Sequence, residues 1–362
     1  MTERRMSALA LLRERLRSAL TDLSPGYFSM VMATGILSLA AHGQGQRRLG
    51  EALFAINIAI FVVISAVAAA RLWWHTRAAM ADLGDHLRGP GFFTFVAACN
   101  VLGTQTLLIG GEVWVALGLW LLGLATWLFF TYTIFTLLTV KIRKPALERG
   151  INGGWLLAVV ATQSLAVLGA LLAVRLEQPW RIELNFFALS MWLCGGMLYI
   201  WMMSLIFYRY TFLRFSPGDL SPPYWINMGA MAISTLAGSQ LLLNSAEAPL
   251  IQSLRPFIAG FTVFYWATGT WWIPMLLLLG VWRHLIRRFP LHYDPMYWGL
   301  IFPLGMYAAS TEHLTRALGL DFLRFLPPPF LWLGLLGWLM LFIGQLRALW
   351  HGAREALAMN RL

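Results

Sequence analysis

Ten apolar stretches alternate with short polar segments along the chain, and nine of them are 20 residues or longer. A helix of about 20 apolar residues crosses a ~30 Å hydrocarbon core, so the pattern predicts ten membrane spans. They run over 27–42, 52–73, 91–110, 113–140, 152–174, 184–208, 224–244, 255–282, 295–315 and 328–349. The first is short unless Pro25 and Gly26 begin it inside the interface. Odd-numbered spans share a start signal: Pro25, Pro90, Pro223 and Pro295 precede four of them, and Gly153–Gly154 the fifth. Aromatic residues follow each start, at Tyr27–Phe28, Phe92–Phe93, Trp155, Tyr224–Trp225 and Tyr297–Trp298. Proline suits a first helical turn because its missing N–H has no helical partner there. Aromatic rings suit the membrane interface. The starts recur at intervals of 65, 63, 70 and 72 residues, the length of a helical hairpin with its loops. Five tandem hairpins inserted in one orientation imply an axis along the membrane normal and a central pore.

The two members of each hairpin differ. Odd spans carry small and polar residues in mid-run, at Ala33-Thr34-Gly35, Ala98-Cys99-Asn100, Thr162-Gln163-Ser164, Asn227-Met228-Gly229 and Ala308-Ala309-Ser310-Thr311. Even spans are bulkier, as in Leu119-Trp120-Leu121-Leu122. Polar groups are costly in lipid, so odd spans are expected to form an inner ring and even spans an outer belt. Small residues that merely let helices pack closely are the competing reading at any one position.

Composition agrees with the pattern. Of the 362 residues, 59% are hydrophobic and 12% charged, against about 45–50% and about 25% in soluble domains. A soluble globule is excluded, and the expected fold class is an all-α integral membrane protein. The formal charge of +11 would fit nucleic acid in another setting, but here the cations sit between apolar runs and orient them. Counted with the span ends, 20 of the 27 Lys and Arg fall on the side of the termini and 7 on the other. This places both termini in the cytoplasm and predicts a multi-pass protein of the inner membrane. Residues 1–24 are expected to form an amphipathic segment on the cytoplasmic surface, with Leu9, Leu12, Leu16 and Leu20 in helical steps among five arginines. Residues 25–351 form the pore domain, and 352–362 a cytoplasmic tail. Cys99 and Cys194 lie in apolar runs, and the histidines lie mostly at span ends or in loops, so neither a disulfide framework nor a metal site is expected. No phosphate loop or nucleophile–base pairing stands out. The expectation is no cofactor and no enzyme.

Two segments carry a resemblance. Gly26-Tyr27-Phe28-Ser29-Met30-Val31-Met32-Ala33-Thr34-Gly35-Ile36 and Tyr297-Trp298-Gly299-Leu300-Ile301-Phe302-Pro303-Leu304-Gly305 resemble the first and ninth spans of the tellurite-resistance/dicarboxylate transporter family. That family includes plant slow-type anion channels and fungal sulfite and malate transporters. The resemblance implies ten helices as five hairpins around a pore, an anion pathway through each protomer, and a homotrimer in the lipid bilayer. It also implies a narrow uncharged pore blocked by a phenylalanine, whose matching position is Phe302. Pro303 is expected to kink that span, with Gly305 and Gly35 exposing backbone nearby. Candidate pore-lining residues are Phe28, Thr34, Asn100, Gln163, Ser164, Asn227 and Ser310.

The expected function is a channel for small inorganic or organic anions, such as chloride, sulfite or carboxylates. A proton-coupled organic-anion transporter on the same scaffold is the alternative, with Glu312 as the candidate coupling group. An integral-membrane enzyme using quinone or haem is a minor one.

Overall fold

A computed structural model describes residues 20–290 and 295–359. The amphipathic segment expected before residue 20 lies outside the described residues. Ten helices of 15 or more residues dominate: α1 Ser29–Gly43, α2 Arg47–Trp74, α3 Phe93–Leu108, α4 Val113–Val140, α5 Leu157–Ala173, α6 Trp180–Phe212, α7 Ile226–Leu243, α8 Arg255–Val281, α9 Trp298–Leu318 and α10 Pro327–Met359. Among the described residues eight of these, with their flanking turns, are long and apolar enough to cross a membrane. The two outside that set are α1, which carries Ser29, Ser38 and His42, and α9, which carries Ser310, Glu312 and His313. The last helix runs on to Met359, ten residues past the end expected for the tenth span.

Every odd helix packs against the even helix that follows it. The odd helices also pack on one another in a closed cycle, α1 on α3, α3 on α5, α5 on α7, α7 on α9 and α9 on α1. Burial follows this order: the most apolar stretch of α7 is 94% buried and that of α2 only 11%. The seams are close. A Cβ on Gly103 of α3 would sit 2.5 Å from Leu168 of α5, and one on Gly229 of α7 would sit 2.8 Å from Pro303 of α9. In lipid, where apolar burial alone does not drive helices together, such small-residue contacts supply the packing energy. Indole groups of the even helices reach inward: Trp127 Nε1 donates to Thr162 Oγ1 at 2.9 Å, Trp192 Nε1 to Ser234 O at 2.8 Å and Trp338 Nε1 to Thr34 Oγ1 at 2.8 Å. Each of these bonds stands in a medium that offers no competing water.

Candidate functional site

All five odd helices begin with a tight 3-10 turn: Pro25–Phe28, Gly89–Phe92, Gly153–Leu156, Pro222–Trp225 and Pro295–Tyr297. Proline presets the first-turn dihedral in four of them. In the third, Asn152 Oδ1 caps by accepting from the Gly154 N–H at 2.8 Å. The five turns touch in sequence and close into a ring of their own, the fifth meeting the first. Glycine makes this approach feasible: a Cβ on Gly153 would lie 2.4 Å from the Pro223 carbonyl oxygen, and one on Gly91 3.0 Å from the Gly26 nitrogen.

Inside that ring lies a cavity of about 500 Å³, lined from all five turns. Its polar wall includes Ser24, Ser29, Thr94, Asn152 and Ser221, with Asp22 and Arg88 as the charged side chains among the described lining residues. Leu157 and Ile226 line it at the level of Ser29 and Thr94, and Met32 and Phe302 line it about one turn farther along their helices. Phe302 is only 1% exposed. The five helix axes run in one sense, so five N-termini present partial positive charge and unpaired N–H groups toward this space.

A second feature repeats around the ring. Near the C-terminal end of four even helices stands a cation that grips the backbone just ahead of its own hairpin. Arg71 donates to Leu20 O and Thr21 O, both at 3.1 Å, and Lys141 Nζ to Gly84 O at 2.7 Å. Arg209 Nη1 donates to Ile151 O at 2.9 Å, and Arg283 Nη1 to Leu220 O. Carboxylates join two of these clamps. Asp82 pairs with both Arg71 and Arg88 at 2.7 Å, and Asp219 pairs with Arg209 at 3.0 Å. Arg209 also donates to the Tyr224 hydroxyl. Burial alone would raise the Asp219 carboxyl, but hydrogen bonds from Ser216 and the Arg209 charge outweigh it and hold it below the ordinary carboxylate value. His86, in the loop before the second turn, is pushed down by burial and by the nearby Lys141 charge. The charge count read these cations only as orientation signals. Their recurrence at intervals of 70, 68 and 74 residues is the sequence signal that marks them as a repeated structural part.

Of the residues singled out in the sequence, Phe302 lies in the cavity wall, and Pro303 follows it inside α9. Gly305 and Gly35 are close-packing sites: a Cβ on Gly305 would sit 2.9 Å from Ile36, and one on Gly35 2.4 Å from Val101. Thr34 accepts from Trp338, as described above. Asn100 Nδ2 donates to Val96 O at 2.9 Å and its amide faces Gly123 of α4. Gln163 Nε2 donates to Trp192 O at 3.0 Å, and Asn227 Nδ2 to the Tyr210 hydroxyl at 3.2 Å. Asn100 Oδ1, Gln163 Oε1 and Asn227 Oδ1 stay buried without a protein partner. Ser164 and Ser310 donate to carbonyls of their own helices. Phe28 packs edge-on to Phe95, ring centres 4.9 Å apart, beside an apolar cleft between α2 and α4. Glu312 lies at the other end of α9, salt-bridged to Arg316 in a cleft built from the first and last hairpins.

Comparison with known proteins agrees with this architecture. Residues 22–346 match the voltage-dependent anion channel family, SLAC1. The chain belongs to that family, whose members are channels and transporters of anions, and it is a multi-pass membrane protein. It is 24% identical over 345 residues to an uncharacterised transporter of Methanocaldococcus jannaschii, covering 93% of this chain and 98% of that one. An uncharacterised membrane protein of Mycobacterium tuberculosis is 36% identical over 152 residues, 42% of this chain and 77% of its own. The sulfite efflux pump SSU1 of Trichophyton rubrum is 25% identical over 327 residues, 82% of this chain and 83% of the pump.

Proposed function

We propose that the protein conducts small anions along the axis of five hairpins, all ten helices crossing the membrane, with Phe302 as the gate. The observation that carries this reading is the closed ring of first turns around a cavity that has the Phe302 side chain in its wall. The cavity is the cytoplasmic vestibule, because the cation-rich loops surround it. Positive helix ends attract anions into the vestibule, and at its inner wall the Phe302 ring excludes hydrated ions by dewetting. Asn100, Gln163 and Asn227 instead direct their amides to the even helices, so the polar groups that meet the anion are those of the cavity wall, Ser24, Ser29, Thr94, Asn152 and Ser221. Sulfite and small carboxylates are the substrates favoured here, sulfite because one relative is named a sulfite pump. The even helices face lipid and the neighbouring protomers of a homotrimer.

Proton coupling rests on Glu312, which is paired with Arg316 in a peripheral cleft to which α3, α5 and α7 contribute nothing among the described residues. Flux therefore follows the anion's electrochemical gradient alone.

The test is Phe302→Ala in reconstituted vesicles. Removal of the ring is expected to raise anion conductance strongly while the protein stays folded, and Phe302→Leu to raise it less. If Phe302 only packs the core, the alanine variant loses about 3–5 kcal/mol of stability with unit conductance unchanged.

A further inference from the structure

The geometry points to Arg88 as the anion-capturing side chain of the vestibule, where its guanidinium takes small oxyanions before they reach Phe302. This rests on the conduction reading above.

Arg88 lines the cavity and is anchored on two neighbouring turns. Its Nε ion-pairs with Asp82 Oδ1 at 2.7 Å, and its Nη2 donates to Leu23 O at 3.0 Å and Asp22 O at 3.4 Å. Its backbone N–H donates to Asp85 Oδ1 at 2.8 Å, which fixes the base of the side chain. Nη1 has no protein partner among the described residues. The side chain is thus held in place with one nitrogen of the fork, Nη1, unused, an arrangement that binds an anion with little further ordering cost.

Charge favours the same role. Asp82 is shared between Arg88 and the buried Arg71, so two guanidinium groups face that one carboxylate, while Asp85 Oδ1 accepts from the backbone N–H groups of Leu87 and Arg88. Five helix N-termini add partial positive charge around the same space. The opposing carboxylates are Asp85, whose Oδ1 is taken up by two backbone N–H groups, and Asp22, which is exposed to solvent and screened by salt. The free Nη1 offers charge-assisted N–H bonds to an oxyanion oxygen from a delocalised, weakly hydrated cation, whereas a lysine ammonium is a compact, strongly hydrated point charge. Oxyanions are accordingly favoured over halide at this position. Nothing in the charge pattern distinguished Arg88 from its neighbours, because only the fold turns it toward the axis.

The experiment measures flux against anion concentration on the vestibule side of oriented vesicles, with sulfite, acetate and chloride, in the Phe302→Ala background. Arg88→Gln is expected to raise the half-saturating concentration of sulfite and acetate roughly tenfold, the scale of one charge-assisted hydrogen bond, with the maximal flux nearly unchanged. Arg88→Lys is expected to leave chloride near the parent and to restore the oxyanions only in part. Parental saturation curves for all three anions in Arg88→Gln overturn the assignment and leave conduction standing. Equal loss of thermal stability in both variants without any concentration shift also overturns it, since Arg88 then serves the fold alone. A folded Phe302→Ala protein that passes none of the three anions defeats the conduction reading itself.

Discussion

Arg209 shows how one side chain is made to serve several neighbours. Its guanidinium is buried at the end of α6, where an unpaired charge would be prohibitively costly. Ile151 O, the Tyr224 hydroxyl and the Asp219 carboxylate share that charge, and the Phe215 ring lies 5.6 Å from it. Removing the cation leaves three groups short of a partner, so Arg209→Gln is expected to cost about 3–5 kcal/mol of stability, read as a lowered thermal midpoint in detergent. The Asp219 pairing sets a pH window. Its carboxyl is held below the unfolded value of about 3.9, so its stabilisation is complete above that value and is lost as pH falls through the lower, folded one. From this source, the thermal midpoint should not change between pH 8 and pH 5. It should fall only in stronger acid, and Asp219→Asn should remove that acid-induced component. Phe302 was legible in the sequence through its motif. The clamp residues were not, because a charge beside an apolar run looks the same whether it faces solvent or grips a carbonyl.

At the level of elements, the ten long helices were plain in the sequence because about 20 apolar residues between polar breaks have few other uses. Among the described residues, eight of them with their turns are long and apolar enough to cross a membrane. The start signals of the odd helices were equally plain, and the structure shows their result as five 3-10 turns. What periodicity did not reveal was direction around each inner helix. Odd helices are apolar or small on nearly all faces, so no amphipathic stripe told whether Asn100 or Gln163 looked toward the axis or toward an even helix. The glycines of the turns are better defined. In Gly153→Ala the added methyl meets the Pro223 carbonyl, a backbone atom that cannot rotate away. Overpacking of this kind costs about 1–3 kcal/mol, and here it also forces two neighbouring turns apart. The expected outcome is a lowered thermal midpoint together with altered conductance. A change in stability alone would mean that the turns move without deforming the mouth.

For the molecule as a whole, orientation is the first matter to check. With the vestibule facing the cytoplasm, a cysteine replacing the exposed Arg143 should resist an impermeant thiol reagent in intact cells and react after lysis. Labelling from outside would invert the molecule and place the vestibule on the opposite face. The closed cycle of odd helices also bears on how the protein is made. Four of its five seams join hairpins adjacent in the chain, and the clamp cations Arg71, Lys141, Arg209 and Arg283 grip backbone ahead of their own hairpins. The last seam joins opposite ends of the sequence: Trp338 reaches Thr34 across 304 residues, and Arg316 reaches Gly43 O across 273. A nascent chain can therefore stabilise each of the first four hairpins as it leaves the ribosome, yet the ring of odd helices does not close until the fifth hairpin arrives. A chain truncated after α8 is expected to insert and remain in the membrane while passing no anion selectively, as vesicle flux would report. If conduction needs the closed ring, the order of synthesis makes the channel the last thing the chain completes.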